Sequence, residues 1–256
     1  MAAAGDARPR HDNYYKLLDR DLKEAADIVE IITAGWKGEA LPEGAGGHTA
    51  VQGKVHDMDM IPPWMFTDCH GIAFLYEFKA AFLVSVHAGN GFVVSKLNKG
   101  LPGQAWSAPV PFVLGGAGIG LTGGANRSSV VLFIMSEHDL RRFAGPDVSL
   151  GGDVNVSAGP VGRDSRAQVD LGKGGFSTNF AYSFSQGLFL GSGATVSGST
   201  CNSIASHHVY GKDVTVDQLL KGEKGKETVD TMSHASQFYT SLSKAEEFGK
   251  HFPTSA

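Results

Sequence analysis

Residues 115–120 read Gly-Gly-Ala-Gly-Ile-Gly. A glycine run of this kind can cradle a pyrophosphate when a helix follows and aims its N-terminus at the phosphates. Here Gly123, Gly124 and Asn126 follow, and then the apolar, β-like run 128–135. The glycines therefore read as a strand or a bend, not a nucleotide loop. Gly191-Ser192-Gly193 lacks the G-x-S-x-G spacing that lifts a serine nucleophile onto a strained turn. His207 and His208 are adjacent, as are Cys69 and His70, and adjacent side chains on a helix or strand point different ways. The spacings C-x-x-C and H-E-x-x-H are missing, so a metal site would need the fold to gather His70, His87 and His207. Glu77 stands between Tyr76 and Phe78 as an acid within an apolar run, and an outward strand face accounts for it. These residues predict neither an enzyme nor a metal site, and no cofactor is expected.

The basic side chains are the better candidates for function. Lys16, Arg20 and Lys23 fall on neighbouring turns of one helical stretch, Arg141 and Arg142 follow Ser136, and Arg163 ends a Gly-Pro-Val-Gly-Arg segment. Such groups could contact phosphates on an anionic surface. Asp19, Asp21, Glu24 and Asp27 are interleaved with the first cluster, so a solvated face laced with salt bridges is an equal reading.

The elements that must position these residues follow from periodicity. Over 14–34, Leu18, Leu22, Ala25, Ile28, Val29 and Ile32 recur every three or four residues, which predicts an amphipathic helix. Asn13 is its expected N-cap and Gly35 its expected stop. A short helix is expected from Pro63 to about Cys69. Strands are expected over 72–78, 81–87 and 91–97, joined as hairpins. One or two more are expected over 106–124, and others over 128–135, 148–158, 167–171, 176–185 and 187–198. Ser136 and Thr215 each open a capping-box-like helix. Helices are expected over 203–209 and 226–250, the latter with Val229, Met232, Ala235, Tyr239, Leu242 and Ala245 on one face.

Composition bounds the rest. The chain has 256 residues, of which 34 are glycine, about twice the ordinary share, and these are concentrated between Gly71 and Gly211. The expected fold is α+β: a glycine-rich antiparallel sheet of eight to ten short strands, open or barrel-like, with an N-terminal amphipathic helix and C-terminal helices. A tail over 1–13, one domain over 14–222 and a helical extension over 223–256 are expected. A net charge of −4 without long basic runs argues against nucleic acid. No stretch approaches 18 uninterrupted apolar residues, so no transmembrane helix is expected. The first eleven residues lack the apolar core of a signal peptide, and two cysteines make no disulfide framework. The expected location is cytoplasmic.

The order of several short motifs says more than any one of them. Ile61-Pro62 is followed by Gly71-Ile-Ala-Phe-Leu75, Lys79-Ala-Ala-Phe-Leu-Val-Ser85, Gly89-Asn-Gly-Phe-Val-Val94 and Trp106-Ser-Ala-Pro109. Then come Leu150 to Arg163, Tyr182-Ser-Phe-Ser-Gln-Gly-Leu-Phe189, Val209-Tyr-Gly211 and Leu219-Leu-Lys-Gly222. This series, covering about 17–222, resembles the SYLF domain family. The resemblance implies a non-catalytic, membrane-peripheral module that binds phosphoinositides or other anionic lipids and is tied to cortical actin, endocytosis or endosomes.

Three expectations follow. In the first, Lys16, Arg20, Lys23, Arg141, Arg142 and Arg163 contact lipid phosphates while Leu18, Leu22, Ile28 and Ile32 enter the membrane interface. In the second, those four apolar residues dock permanently on the β core of a scaffold that binds actin or another protein. In the third, a barrel-like core encloses a small apolar ligand.

Overall fold

The computed structural model describes residues 13–38, 61–143, 165–169, 179–201 and 203–252. The fold is α+β. Helix α1 spans Asn13–Lys37 and α2 spans Trp64–Asp68. Strand β1 (Gly71–Leu97), the short β2 (Ala105–Trp106) and β3 (Val110–Ile134) follow, then α3 (Glu137–Phe143). Strands β4 (Ser165–Val169) and β5 (Asn179–Cys201) complete the sheet. Helices α4 (Ser203–Tyr210), α5 (Val216–Leu220), α6 (Lys226–Val229) and α7 (Ala235–Gly249) close the chain.

The sheet is antiparallel, with strand order β2-β1-β3-β5-β4. It is open, so no barrel closes, and the reading of a ligand enclosed in a barrel loses its lumen. The strands are fewer and longer than expected. The three short strands over 72–97 are one strand, β1. The runs over 106–124 and 128–135 merge into β3 beyond the two-residue β2, and those over 176–185 and 187–198 into β5. The expected hairpin links at 79–80 and 88–90 pair in register with β3, Ala80 opposite Ala125 and Gly89 opposite Leu114. The backbone stays extended through Gly89 and Gly91, without the left-handed residues that a tight hairpin needs. The strand expected over 148–158 lies outside the described residues.

β1 nonetheless doubles back on itself. At about 3.3 Å per residue, a straight strand would hold Phe74 and Phe92 about 60 Å apart. Their rings stack at 5.3 Å. The Lys96 amide donates to the His70 carbonyl at 2.9 Å. Gly91 lies so close to the Phe74 carbonyl that a side chain there would collide with backbone. The bend falls at the register shift between Phe82 and Val84. β3 follows β1 around it, with Phe82 opposite Gly123 and Val84 opposite Ile119, and β5 follows β3 with Gly120 opposite Gly193. The glycine-rich stretch is thus where a three-strand ladder folds over.

The helices cover the arms. Phe238 of α7 stands edge-on to both Phe74 and Phe92, at 5.6 and 5.3 Å. Trp36 near the end of α1 stacks on Phe248 at 5.4 Å, and its Nε1–H donates to the Ile61 carbonyl at 2.7 Å. α1 runs past Gly35, which is buried inside it, and stops before Gly38 at φ +65°. The expected helix over 226–250 is broken into α6 and α7. Asp19 of α1 accepts the His234 amide at 3.0 Å and meets His234 Nδ1 at 3.0 Å, fixing the start of α7. The Thr215 capping box forms as expected, and Ser136 Oγ accepts the Asp139 amide at 3.0 Å.

Candidate functional site

The period of α1 decides what it can offer a partner. Leu18, Leu22, Ile28 and Ile32 are buried in the common core with Ala25 and Val29. Entry of these four into a bilayer would require stripping α1 from the protein. Lys16, Arg20 and Lys23 face outward. Arg20 pairs with Asp21 at 3.1 Å and Lys23 with Asp27 at 2.8 Å, which offsets part of their positive field. Lys16 is exposed and forms no ion pair among the described residues. Arg141 is engaged by Glu137 at 2.5 Å, Arg142 lies on α3 in the same short helix, and Arg163 lies outside the described residues. Among the described residues Arg20, Lys23 and Arg141 thus each face a carboxylate.

Asp21 and Glu24 depart from the reading of a solvated face. Both are buried, against the sheet. Glu24 takes Arg127 at 3.0 Å on one oxygen and Ser129 Oγ at 3.0 Å on the other, both from β3. Asp21 accepts Asn90 Nδ2, and Tyr76 Oη donates to the Asp21 carbonyl at 2.9 Å. Burial pushes the Asp21 carboxyl up to about 7, against the pull of Arg20 and with a smaller push from Glu24. Burial also raises the Tyr76 phenol well above its usual value. A signal for this was present: Asp21 and Glu24 lie one turn from Ala25 and Ile28, on the side of the helix that the apolar period turns inward.

A second feature was missed entirely by motif reading. Trp106 on β2, the segment 222–230 around α6, and α7 frame a cleft of about 650 Å³. Register places Trp106 opposite Lys96, whose Nζ sits 5.0 Å from the indole centroid. The Lys96 side chain is fully buried; Nζ donates to the carbonyls of Phe66 (2.6 Å) and Thr67 (2.8 Å) and pairs with Glu246 at 3.1 Å. Trp106 Nε1 is buried with no acceptor among the described residues. Tyr239, from α7, donates to the Ser107 carbonyl at 2.7 Å, and burial raises its phenol. Lys224 and Lys226 stand exposed at the rim. The cleft combines an aromatic wall with the exposed side chains of Lys224, Lys226 and Asp230. It can bind an extended partner.

Among the described residues no group of three His, Cys, Asp or Glu side chains could hold a metal ion. Glu77 is half-buried on β1. Among the described residues no helix is long and apolar enough to cross a membrane.

The class these features define is an α+β domain built from a folded-over antiparallel sheet clad in helices, with a cleft beside Trp106. Residues 115–245 match the profile of the family described as Ysc84, the Las17-binding protein actin regulators, and the chain belongs to this family, which carries the SYLF domain. It is 37% identical over 164 residues to Protein YSC84 of Saccharomyces cerevisiae, covering 64% of this chain and 34% of that one. LAS seventeen-binding protein 3 of the same species is 35% identical over 164 residues, 64% of this chain and 35% of that one. SH3 domain-containing YSC84-like protein 1 of Homo sapiens is 35% identical over 133 residues, 52% of this chain and 37% of that one. The chain spans about a third to a half of the length of the curated relatives it matches. No solved structure matches it.

Proposed function

We propose that the chain is a protein-binding module in actin regulation and that the cleft beside Trp106 receives the partner. The observation that carries this reading is the cleft of about 650 Å³ walled by Trp106 and Tyr239 and rimmed by the exposed Lys224 and Lys226. An aromatic wall with a polar, solvent-facing rim is the kind of surface that protein partners bury. The names of the relatives, an actin regulator and a Las17-binding protein, point to the same class of partner. The test is co-sedimentation with filamentous actin and direct binding to Las17, using wild type, Trp106→Ala and Lys224→Glu/Lys226→Glu. Both variants are expected to weaken binding about tenfold. No binding of wild type to either protein sinks the reading.

A second reading is recruitment to phosphoinositides or other anionic lipids, at a membrane-peripheral, cytoplasmic location tied to endocytic traffic. Its support is the outward position of Lys16, Arg20 and Lys23 on a helix whose apolar face is already docked. Such contacts would adsorb the domain without unfolding α1, at roughly 1 kcal/mol per basic residue. Equal and negligible sedimentation with neutral and anionic vesicles would remove it.

A further inference from the structure

The sheet ends at β2. Its strand order leaves β2 with β1 on one side and, among the described residues, no strand on the other. The hydrogen bonds to β1 fix where the rest of the β2 backbone points. The Ser107 amide donates to the Ser95 carbonyl at 2.9 Å, and Ala105 and Trp106 stand opposite Leu97 and Lys96. Bonded and non-bonded pairs alternate along an antiparallel ladder, so Ala105 and Ser107 turn their polar groups to β1. Across each trans peptide the C=O points opposite to the following N–H. The Gln104 carbonyl and the Trp106 N–H and carbonyl therefore point away from β1. No described residue bonds any of the three.

The cleft beside Trp106 runs along this edge. Side chains of a strand alternate between its two faces, so a hollow over one face is lined by every second residue. Here five consecutive residues, Gln104 to Ala108, line it. Gly222, Val229, Met232 and Ala235 form much of the facing wall. The edge is held in place without a partner. The Gln104 side chain accepts the Gly100 amide at 2.7 Å and donates to Glu246, and the Ser107 carbonyl accepts Tyr239 Oη at 2.7 Å. A backbone already ordered loses less entropy on binding.

We propose that the cleft receives its partner as an extended strand that adds to the open edge of β2, pairing backbone to backbone with Gln104 and Trp106. The inference rests on the protein-binding reading above and specifies what that cleft recognises: an extended peptide segment with free N–H and C=O groups. Unpaired strand edges take up such segments through main-chain hydrogen bonds. Half-buried Trp106 and exposed Ala105 alternate along β2. The added strand would accordingly alternate apolar side chains toward α7 with polar ones toward water. A polyproline helix fits less well. Aromatic grooves that take one use the polar tips of their rings as donors to ligand carbonyls. The Tyr239 hydroxyl is already spent on Ser107, and Trp106 Nε1 is buried beyond a ligand's reach. Pro102 and Pro109 bracket the edge and cannot donate to a ladder, which limits it to a short segment.

The test uses the full chain and overlapping synthetic peptides that tile Las17. The peptide that binds is N-methylated one residue at a time, which removes a single N–H and keeps every side chain. Binding is expected to weaken at least tenfold at alternate residues of the bound segment and little at those between. Alternate N–H groups of an added strand face β2 and face away from it. The Trp106 amide is also expected to exchange with solvent at least tenfold more slowly once the peptide is bound. Neither readout substitutes a residue of the chain. If wild type binds Las17 or filamentous actin but no peptide binds, or the methylation profile lacks the two-residue period, strand addition is overturned and the protein-binding reading stands. A three-residue period would mark a polyproline helix and overturn it likewise. If wild type binds neither protein, the reading fails and takes this inference with it. If the Trp106 amide is protected without peptide, increasingly at higher protein concentration, the edge belongs to a second copy and the inference is overturned.

Discussion

Phe74 and Phe92 belong to one strand, yet their rings stack at 5.3 Å with planes 25° apart, and Phe238 of α7 stands edge-on to both. All three are fully buried. This trio joins the two arms of the folded sheet to the last helix. Phe92→Ala is therefore expected to cost about 3–5 kcal/mol, and Phe238→Ala a similar amount. The midpoint of urea unfolding measures both; a loss under 1 kcal/mol at either position would contradict the packing.

The fold-over also depends on a residue that has no side chain. A Cβ at Gly91 would collide with the Phe74 carbonyl and lie 2.8 Å from Phe112 Cζ. Backbone cannot step aside as a flexible side chain can. Gly91→Ala is expected to abolish cooperative folding or lower the thermal midpoint by more than 10 °C, as read by circular dichroism. Gly100→Ala is the contrast. Its φ of +74° carries a strain of about 1 kcal/mol, but nothing lies within 4 Å of the added methyl.

Lys96 is a buried cation satisfied by two carbonyls and by Glu246. Removing one member of such a cluster leaves the other uncompensated. Lys96→Ala is expected to destabilise by about 3–5 kcal/mol. Glu246→Gln should cost less, because the two carbonyl acceptors remain with Lys96. Denaturant titration of both variants gives the order, and the reverse order would refute this account.

Asp21 makes stability depend on pH. Burial raises its carboxyl from 3.8 to about 7, so the folded chain keeps a proton that the unfolded chain releases near pH 4. The contribution of Asp21 is fully present below pH 4 and is lost as pH climbs to 7. Asp21→Asn is expected to flatten this slope. It should raise the thermal midpoint at pH 8 relative to wild type and change it little at pH 4. An unaltered slope would assign the pH dependence to other groups.

Docking of α1 has its own measurement. Its buried stripe, its Glu24 clamp to Arg127 and Ser129, and the Asp19 contact to His234 tie it to the sheet and to α7. Amides in its centre, around Ala25 to Val29, are expected to exchange only at the rate of global unfolding, without lipid. Rapid exchange there would show that the apolar face is available to a membrane after all.

Much of the local structure was legible in the sequence. The stripe from Leu18 to Ile32, the Thr215 and Ser136 caps and the apolar runs of the sheet each depend on neighbours a few residues away, and their periods marked them correctly. The number of strands was not legible. Gly89 and Asn90 look like a turn, because turns and close backbone approaches call for the same residue types, and only pairing with Leu114 and Val113 distinguishes them.

The sequence by itself determined that α1 is amphipathic and that the core is β-rich and glycine-laden. Only the tertiary structure decided that the apolar face of α1 is covered, that Asp21 and Glu24 lie inside, and that Trp106 and Tyr239 line one cleft. Each of these joins residues far apart in the chain, and such contacts are set by how the sheet folds over and which helices fill the space, which no short-range period encodes.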